Sequence, residues 1–109
     1  MQFSNPFPNR LKAARVRAKV SQRELGIRIG MEPSSASGRM NHYEKGRHFP
    51  DVSTLKRLAG ELNVPLNYFF CESELMAEIV LVLDSLNDEE KLQVLRNLQN
   101  ELKKNKVGD

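Results

Sequence analysis

The sequence predicts an all-α protein, with a compact five-helix domain over residues 9–70 and a two-helix region over residues 71–109. Two observations lead to this fold class. Apolar residues recur at intervals of three and four in seven successive segments, as they do on one face of an amphipathic helix. Capping residues, glycines or prolines separate those segments. One alternative stays open, because the partly β-branched run at residues 79–83 would also suit a strand.

Length and composition suit a globular protein. The chain has 109 residues, of which 39% are hydrophobic, enough for one packed domain or a small domain with an appendage. No apolar run approaches the roughly 18 residues of a membrane span. Prolines interrupt the apolar N-terminus, so no secretory signal is expected. The single cysteine, Cys71, cannot form an internal disulfide, which favours a cytoplasmic location.

Charge is divided unevenly along the chain. Residues 1–50 hold ten Lys or Arg and three Asp or Glu, a net charge of +7. Residues 51–109 hold seven and eleven, a net charge of −4. A basic half followed by an acidic half suggests a polyanion-binding surface and a second region with a different role. The alternative is that like charges cluster by chance on solvated faces.

The N-terminal segment divides into an arm and a helix. Residues 1–8 contain prolines and show no helical period, so they are predicted to form an arm. The first helix is predicted from Asn9, as its N-cap, to Lys19. Leu11 and Ala14 lie three residues apart and begin its buried stripe.

A capping box marks the second helix, which is predicted over residues 22–30. Ser21 and Glu24 have the S-x-x-E spacing, in which each side chain accepts a bond from the other residue's N–H group. Val20 and Leu25 occupy the hydrophobic-staple positions around this cap. The cap, the staple and the apolar period therefore all indicate one short helix.

The third helix is predicted to begin between Ser34 and Ser37 and to end at Lys45, with Gly46 just beyond it. Pro33 disfavours helix at the residue before it. A helical wheel divides this helix into an apolar and a polar face. The apolar face holds Ala36, Met40 and Tyr43; the opposite face holds Gly38, Asn41, His42 and Lys45, with Ser37 and Arg39 beside it.

Two further helices complete the predicted domain. Asp51 can cap a fourth helix over residues 52–62. A short fifth helix follows Val64-Pro65, with three apolar side chains predicted to face inward: Leu66, Phe69 and Phe70.

The remaining residues predict two amphipathic helices, over residues 72–86 and 87–104, that can bury each other as a hairpin. The first helix has a wide apolar stripe, which would leave apolar surface uncovered and available to a partner. A two-fold homodimer is the commonest such arrangement. The alternative is that these helices pack on their own domain. The predicted dimer interface comprises Leu75, Ile79, Val82, Leu83, Leu86, Leu95 and Leu98.

Several motifs occur in order along residues 9–70. They are Arg10-Leu-Lys-x-x-Arg15, Ser21-Gln22-Arg23-Glu24-Leu25, Tyr43-Glu44-Lys45-Gly46, Pro50 and Leu55-x-x-Leu58-Ala59-x-x-Leu62-x-Val64. Together they resemble the phage-repressor and Cro-like helix-turn-helix family, also called XRE. The resemblance implies a five-helix, lambda-repressor-like domain that binds double-stranded DNA with its third helix in the major groove.

The chain departs from this family at one point. The segment between Gly30 and Tyr43 is longer than usual by roughly one helical turn. Either the turn at residues 31–35 is longer, or the third helix begins earlier. Which of these two arrangements occurs determines which side chains can reach the bases.

The resemblance and the chemistry of the side chains suggest three groups of site residues. Gln22 is implied to contact a phosphate, and the other phosphate candidates are basic: Arg10, Arg17, Arg23, Lys45, Arg47 and His48. Base contacts are expected from Ser37, Gly38, Arg39, Asn41 and His42. Arg39 suits guanine, and Asn41 can pair bidentately with adenine. The family also implies a structural ion pair between Arg15 and Glu44.

Other classes of function find less support in the sequence. No nucleophile motif, phosphate-binding loop or carboxylate pair indicates an enzyme, and the histidines and cysteine are too scattered for a zinc site. No cofactor or metal is therefore expected. The sequence predicts a transcriptional regulator from a bacterium or phage, a repressor acting as a homodimer on a palindromic operator. The alternative is an antitoxin or adaptor whose C-terminal helices bind a partner protein.

Overall fold

The structure, a computed structural model, describes residues 5–107. They form six α-helices and one 3-10 helix, and no strand lies among them. The all-α prediction is confirmed, and the strand alternative at residues 79–83 is excluded because they lie inside a helix. The elements are α1 (Phe7–Arg17), α2 (Gln22–Arg28), α3 (Pro33–Glu44), α4 (Val52–Leu62), the 3-10 helix (Leu66–Phe70), α5 (Glu74–Asp84) and α6 (Asp88–Val107).

Helix α1 begins two residues before the predicted start. Pro6 is its N-cap and Asn9 lies inside the helix, so the prediction of Asn9 as N-cap is wrong. Prolines suit a first turn because the N–H groups there have no helical partner. Phe7 is fully buried, with its ring edge-on to the rings of Tyr43, Phe49 and Phe69. The predicted arm therefore ends at residue 6, and its residues 1–4 lie outside the described part of the chain.

Side chains cap the N-terminal ends of α2 and α4. The Ser21 hydroxyl accepts the Glu24 N–H at 3.0 Å, but Glu24 pairs with Arg28 at 3.1 Å instead of completing the capping box. Asp51 caps α4 by accepting the Thr54 N–H at 2.8 Å. This backbone hydrogen bond lowers the pKa of the Asp51 carboxyl.

Helices α2 and α3 cross closely at Gly26 and Ala36. A Cβ atom added to Gly26 would lie 2.8 Å from the Ala36 Cβ and 3.2 Å from its Cα. Real carbon atoms do not approach so closely, so this crossing needs a glycine. Leu25, beside it, is fully buried and anchors α2 in the core. The crossing therefore sets the position of α3 against α2.

The short element after α4 differs from the predicted fifth helix. It is a 3-10 helix with three residues per turn, so Leu66 and Phe69 share the inward face. Phe70 turns away and is 48% exposed, which makes its predicted inward position wrong. Tyr68 is buried instead and lies beside α1.

The C-terminal helices do not form the predicted hairpin. Helix α5 packs on the domain through Ala77, Val80 and Leu81, whereas α6 does not lie along α5. The described chain is consequently elongated, measuring 61 × 37 × 22 Å with a radius of gyration of 17.3 Å. A compact chain of this length would have a radius near 13 Å. Helix α6 thus projects from the domain. None of the helices within residues 5–107 combines the length and apolarity that a bilayer crossing requires.

Candidate nucleic-acid interface

Helix α3 presents a polar face to solvent. Ala36, Met40 and Tyr43 are buried, as the helical wheel predicted. The five candidate base-contacting residues divide by exposure. Ser37, Gly38 and Arg39 are exposed, and Asn41 and His42 are half-buried. All five lie on one 12-residue helix.

The extra residues of this chain extend α3 and leave the turn short. The helix starts at Pro33, one residue before the predicted range, and the linker from α2 comprises only residues 29–32. Proline at the first helical position has a suitable backbone angle and lacks an N–H group that would be unpaired there. Gly30 has a φ of 99°, which suits glycine in this tight linker. The exposed face consequently gains Ser34 at its N-terminal end.

A hydrogen-bonded network links α1, α2 and α3 beneath this face. Arg15 and Glu44, which the family resemblance pairs, bind through two contacts, Nε to Oε2 at 2.6 Å and Nη2 to Oε1 at 3.1 Å. The Glu44 side chain is only 3% exposed. Gln22 Nε2 lies 3.2 Å from Glu44 Oε1 and 3.3 Å from Asn41 Oδ1. The network therefore connects the ion pair of Arg15 and Glu44 to a candidate base-contacting residue.

A surface groove lies over this network, between α1 and α3; we call it the Asn41 groove. Asn9 and Lys12 line its α1 side, and Asn41 and Lys45 line its α3 side. Neither Asn9 nor Lys12 is among the site residues predicted from the sequence. Their spacing would have placed them with Arg15, because residues three apart share a helix face.

Arg10 is not on this surface, and its prediction as a phosphate contact is wrong. Arg10 is 5% exposed, and its Nε donates to the Cys71 carbonyl at 2.8 Å. Its Nη1 pairs with Glu74 Oε1, also at 2.8 Å. Both contacts turn the guanidinium toward the start of α5 and away from the Asn41 groove. Arg10 instead joins α1 to the start of α5.

The other candidate phosphate contacts are more accessible. Arg23, Lys45, Arg47 and His48 are exposed, and Gln22 is half-buried at the start of α2. Arg17 is exposed too, but its guanidinium lies 5.7 Å from the centre of the Tyr68 ring. It also borders a cleft lined by α5 residues, away from the Asn41 groove. Arg17 is therefore separated from the other candidates.

His42 has fewer accessible atoms than expected. Its ring stacks on that of His48, with centroids 4.8 Å apart. Its Nδ1 is buried and finds no hydrogen-bond partner in the described part of the chain. Contact with a base would therefore be made by the outer edge of the ring.

The predicted dimer residues of α5 and α6 show two levels of exposure. Helix α5 turns Ala77 toward the core, and its opposite face is open to solvent. Helix α6 buries none of its apolar stripe. The exposed members of the predicted interface are Leu75, Ile79, Val82, Leu95 and Leu98, and the half-buried ones are Leu83 and Leu86.

Comparison with known proteins identifies the domain. The helix-turn-helix family matches residues 11–69 of the chain. The chain is similar to the crystal structure of the transcriptional regulator BswR, with 44% sequence identity and a TM-score of 0.81. The match covers 86% of this chain and 93% of the BswR chain. No curated protein matches the chain. Because the family match spans more than half of its length, the chain belongs to the XRE-type helix-turn-helix family.

Proposed function

We propose that this chain is a sequence-specific, double-stranded DNA-binding regulator of transcription, acting as a repressor and as a homodimer on a palindromic operator in the cytoplasm. Its family and its likeness to a transcriptional regulator support the DNA-binding role. The observation that carries the proposal is the polar face of α3, exposed beside a groove that Lys12 and Lys45 line. Cationic side chains around a reading helix attract the phosphate backbone.

The proposal assigns different roles to the exposed side chains. Phosphate contacts fix the orientation of the protein, and contacts with base edges give specificity. The side chains of Lys12, Lys45 and Arg47 hold the phosphates, with Arg23 and His48 at the margin. Gln22 contributes its backbone N–H group at the start of α2. The base contacts come from Ser37, Gly38, Arg39, Asn41 and His42, where Gly38 lets the helix backbone approach the groove closely.

The homodimer is proposed to cover the apolar side of the C-terminal helices. Leu75 is 68% exposed and Leu102 is 64% exposed, which is high for leucines in a stable monomer. The charge along α6 favours an antiparallel arrangement of two copies. Its first turn is acidic and its last turn contains Lys104 and Lys106, so opposite charges would meet at both ends.

Binding selection on random duplex DNA tests the proposal, because it reports the half-site sequence and the two-fold spacing together. Arg39→Ala should relax the base preference at one position, since arginine reads guanine through two hydrogen bonds. Arg47→Ala should weaken binding to all sequences and reduce the salt slope by about 1. Arg39 lies in α3 and Arg47 follows it, and both are exposed arginines, so each variant is the control for the other.

Three results would contradict the proposal. An affinity that does not change with salt would show that phosphates are not bound at this surface. Binding that neither variant alters would show that another surface binds DNA. Selection of a single half-site without two-fold repeats would contradict the palindromic operator.

A further inference from the structure

In the contacts between Arg15 and Glu44, the arginine must be the donor and the glutamate the acceptor. A guanidinium can only donate hydrogen bonds, and a carboxylate can only accept them. Arg15 approaches both carboxylate oxygens of Glu44, and the Glu44 side chain is buried between α1 and α3. Any further neutral group that binds Glu44 must therefore act as a donor.

Gln22 is that further group, and its orientation follows from the carboxylate. Its amide oxygen cannot bind Glu44, because both atoms are acceptors, so its NH2 group must face Oε1 at 3.2 Å. The same nitrogen carries a second hydrogen, which points to Asn41 at 3.3 Å. The atom of Asn41 that receives it must be an acceptor, which is Oδ1.

Gln22 thereby orients Asn41, which does not itself contact the ion pair. Its Oδ1 faces Gln22, and its Nδ2 makes no hydrogen bond within residues 5–107. That nitrogen is not among the buried, unpaired atoms, so it is open to solvent at the Asn41 groove. The side chain offers two N–H donors to the groove and keeps its acceptor turned away.

We infer that Asn41 reads DNA as a hydrogen-bond donor and selects guanine over adenine, with Gln22 as the positioning residue that sets this choice. Guanine shows two acceptors, O6 and N7, in the major groove, whereas adenine shows the N7 acceptor and an N6 donor. A bidentate contact with adenine would need Oδ1 to turn outward and release Gln22. This inference rests on the proposed function and names the specificity of its site.

Competition binding on the selected operator tests the inference. Asn41→Ala identifies the base pair concerned, because the preference at that pair alone should disappear. We expect the parent chain to favour guanine there by about tenfold over adenine, the scale of one well-made base contact. Gln22→Met removes the constraint on Asn41, so this ratio should fall below about threefold. Adenine at that pair in the parent, or an unchanged ratio in Gln22→Met, would overturn the inference.

Lys12→Met is the matched control, because Lys12 lines the same groove but lies outside the hydrogen-bonded network. It should lower the affinity equally for operators with guanine and with adenine at the Asn41 pair. Thermal unfolding of each variant shows that the ratio is measured on folded protein. If the parent chain selects no operator, the proposed function fails. If it selects one but shows no guanine preference at the Asn41 pair, only the inference fails.

Discussion

Gly26 shows how one residue position constrains helix α3. The atoms that a larger side chain would meet include the Ala36 backbone, which cannot rotate aside. Gly26→Ala should therefore push α3 away from α2 and lower the free energy of unfolding by about 1–3 kcal/mol, as overpacking does. Urea denaturation measures this loss, and DNA affinity measured well below the midpoint should fall as well.

Gly60→Ala is the control for this substitution. Gly60 also lies inside a helix, but no atom comes within 4 Å of the position that its Cβ would occupy. Alanine should stabilise the protein there by about 0.5–1 kcal/mol through helix propensity. If both variants had the same stability change, the close crossing of α2 and α3 would not be the reason for the glycine.

At the scale of the element, Arg10 joins α1 to the segment that leads into α5. Arg10→Ala would leave the Cys71 carbonyl without its charged donor and should lower the free energy of unfolding by about 1.5–3 kcal/mol. The salt slope of DNA binding should stay unchanged, because Arg10 does not face the Asn41 groove. Chemical denaturation and binding titrations over a range of salt measure the two effects.

Lys12→Ala should give the opposite result, because Lys12 is exposed at the groove. Its stability should be unchanged, whereas its salt slope should fall by about 1 for each lost phosphate contact. A lower salt slope in Arg10→Ala would show that Arg10 does contact a phosphate, as the sequence suggested.

Local signals in the sequence predicted the elements, and distant contacts limited the site prediction. The cap at Ser21 and the buried face of α3 depend on residues within a few positions, so spacing revealed both. The burial of Arg10 depends on Cys71 and Glu74, which lie 61 and 64 residues away. The early start of α1 likewise depends on aromatic rings from distant segments. A periodic pattern cannot show such partners.

The predicted hairpin illustrates the same limit for α5 and α6. Their apolar stripes predict a covered face for each helix, and α5 covers part of its stripe with Ala77, Val80 and Leu81. The pattern does not specify which surface covers it, and α6 does not pack along α5. Helix α6 has 20 residues and is about 30 Å long, so its stripe could match an equal length of a second copy.

At the scale of the whole molecule, the proposed dimer explains how a projecting helix serves DNA binding. Two copies related by a two-fold axis would place their α3 helices in half-sites about one DNA turn apart. Leu98→Glu puts a charge into the exposed apolar stripe of α6, where pairing would bury it without a partner. The variant should sediment as a monomer under conditions where the parent is a dimer. Its affinity for the full operator should fall by about 100-fold or more through lost avidity, while affinity for a single half-site stays constant.

Asn97→Glu is the control for that change, because Asn97 lies on the polar side of α6, bonded to Gln93, and receives the same charge. It should remain a dimer with parental operator affinity. Analytical ultracentrifugation over a range of concentrations measures the first property, and titration with full and half operators measures the second. A parent chain that stays monomeric at every concentration would contradict the homodimer. The exposed stripe would then fit the alternative function, in which another protein covers the C-terminal helices while α3 still faces DNA.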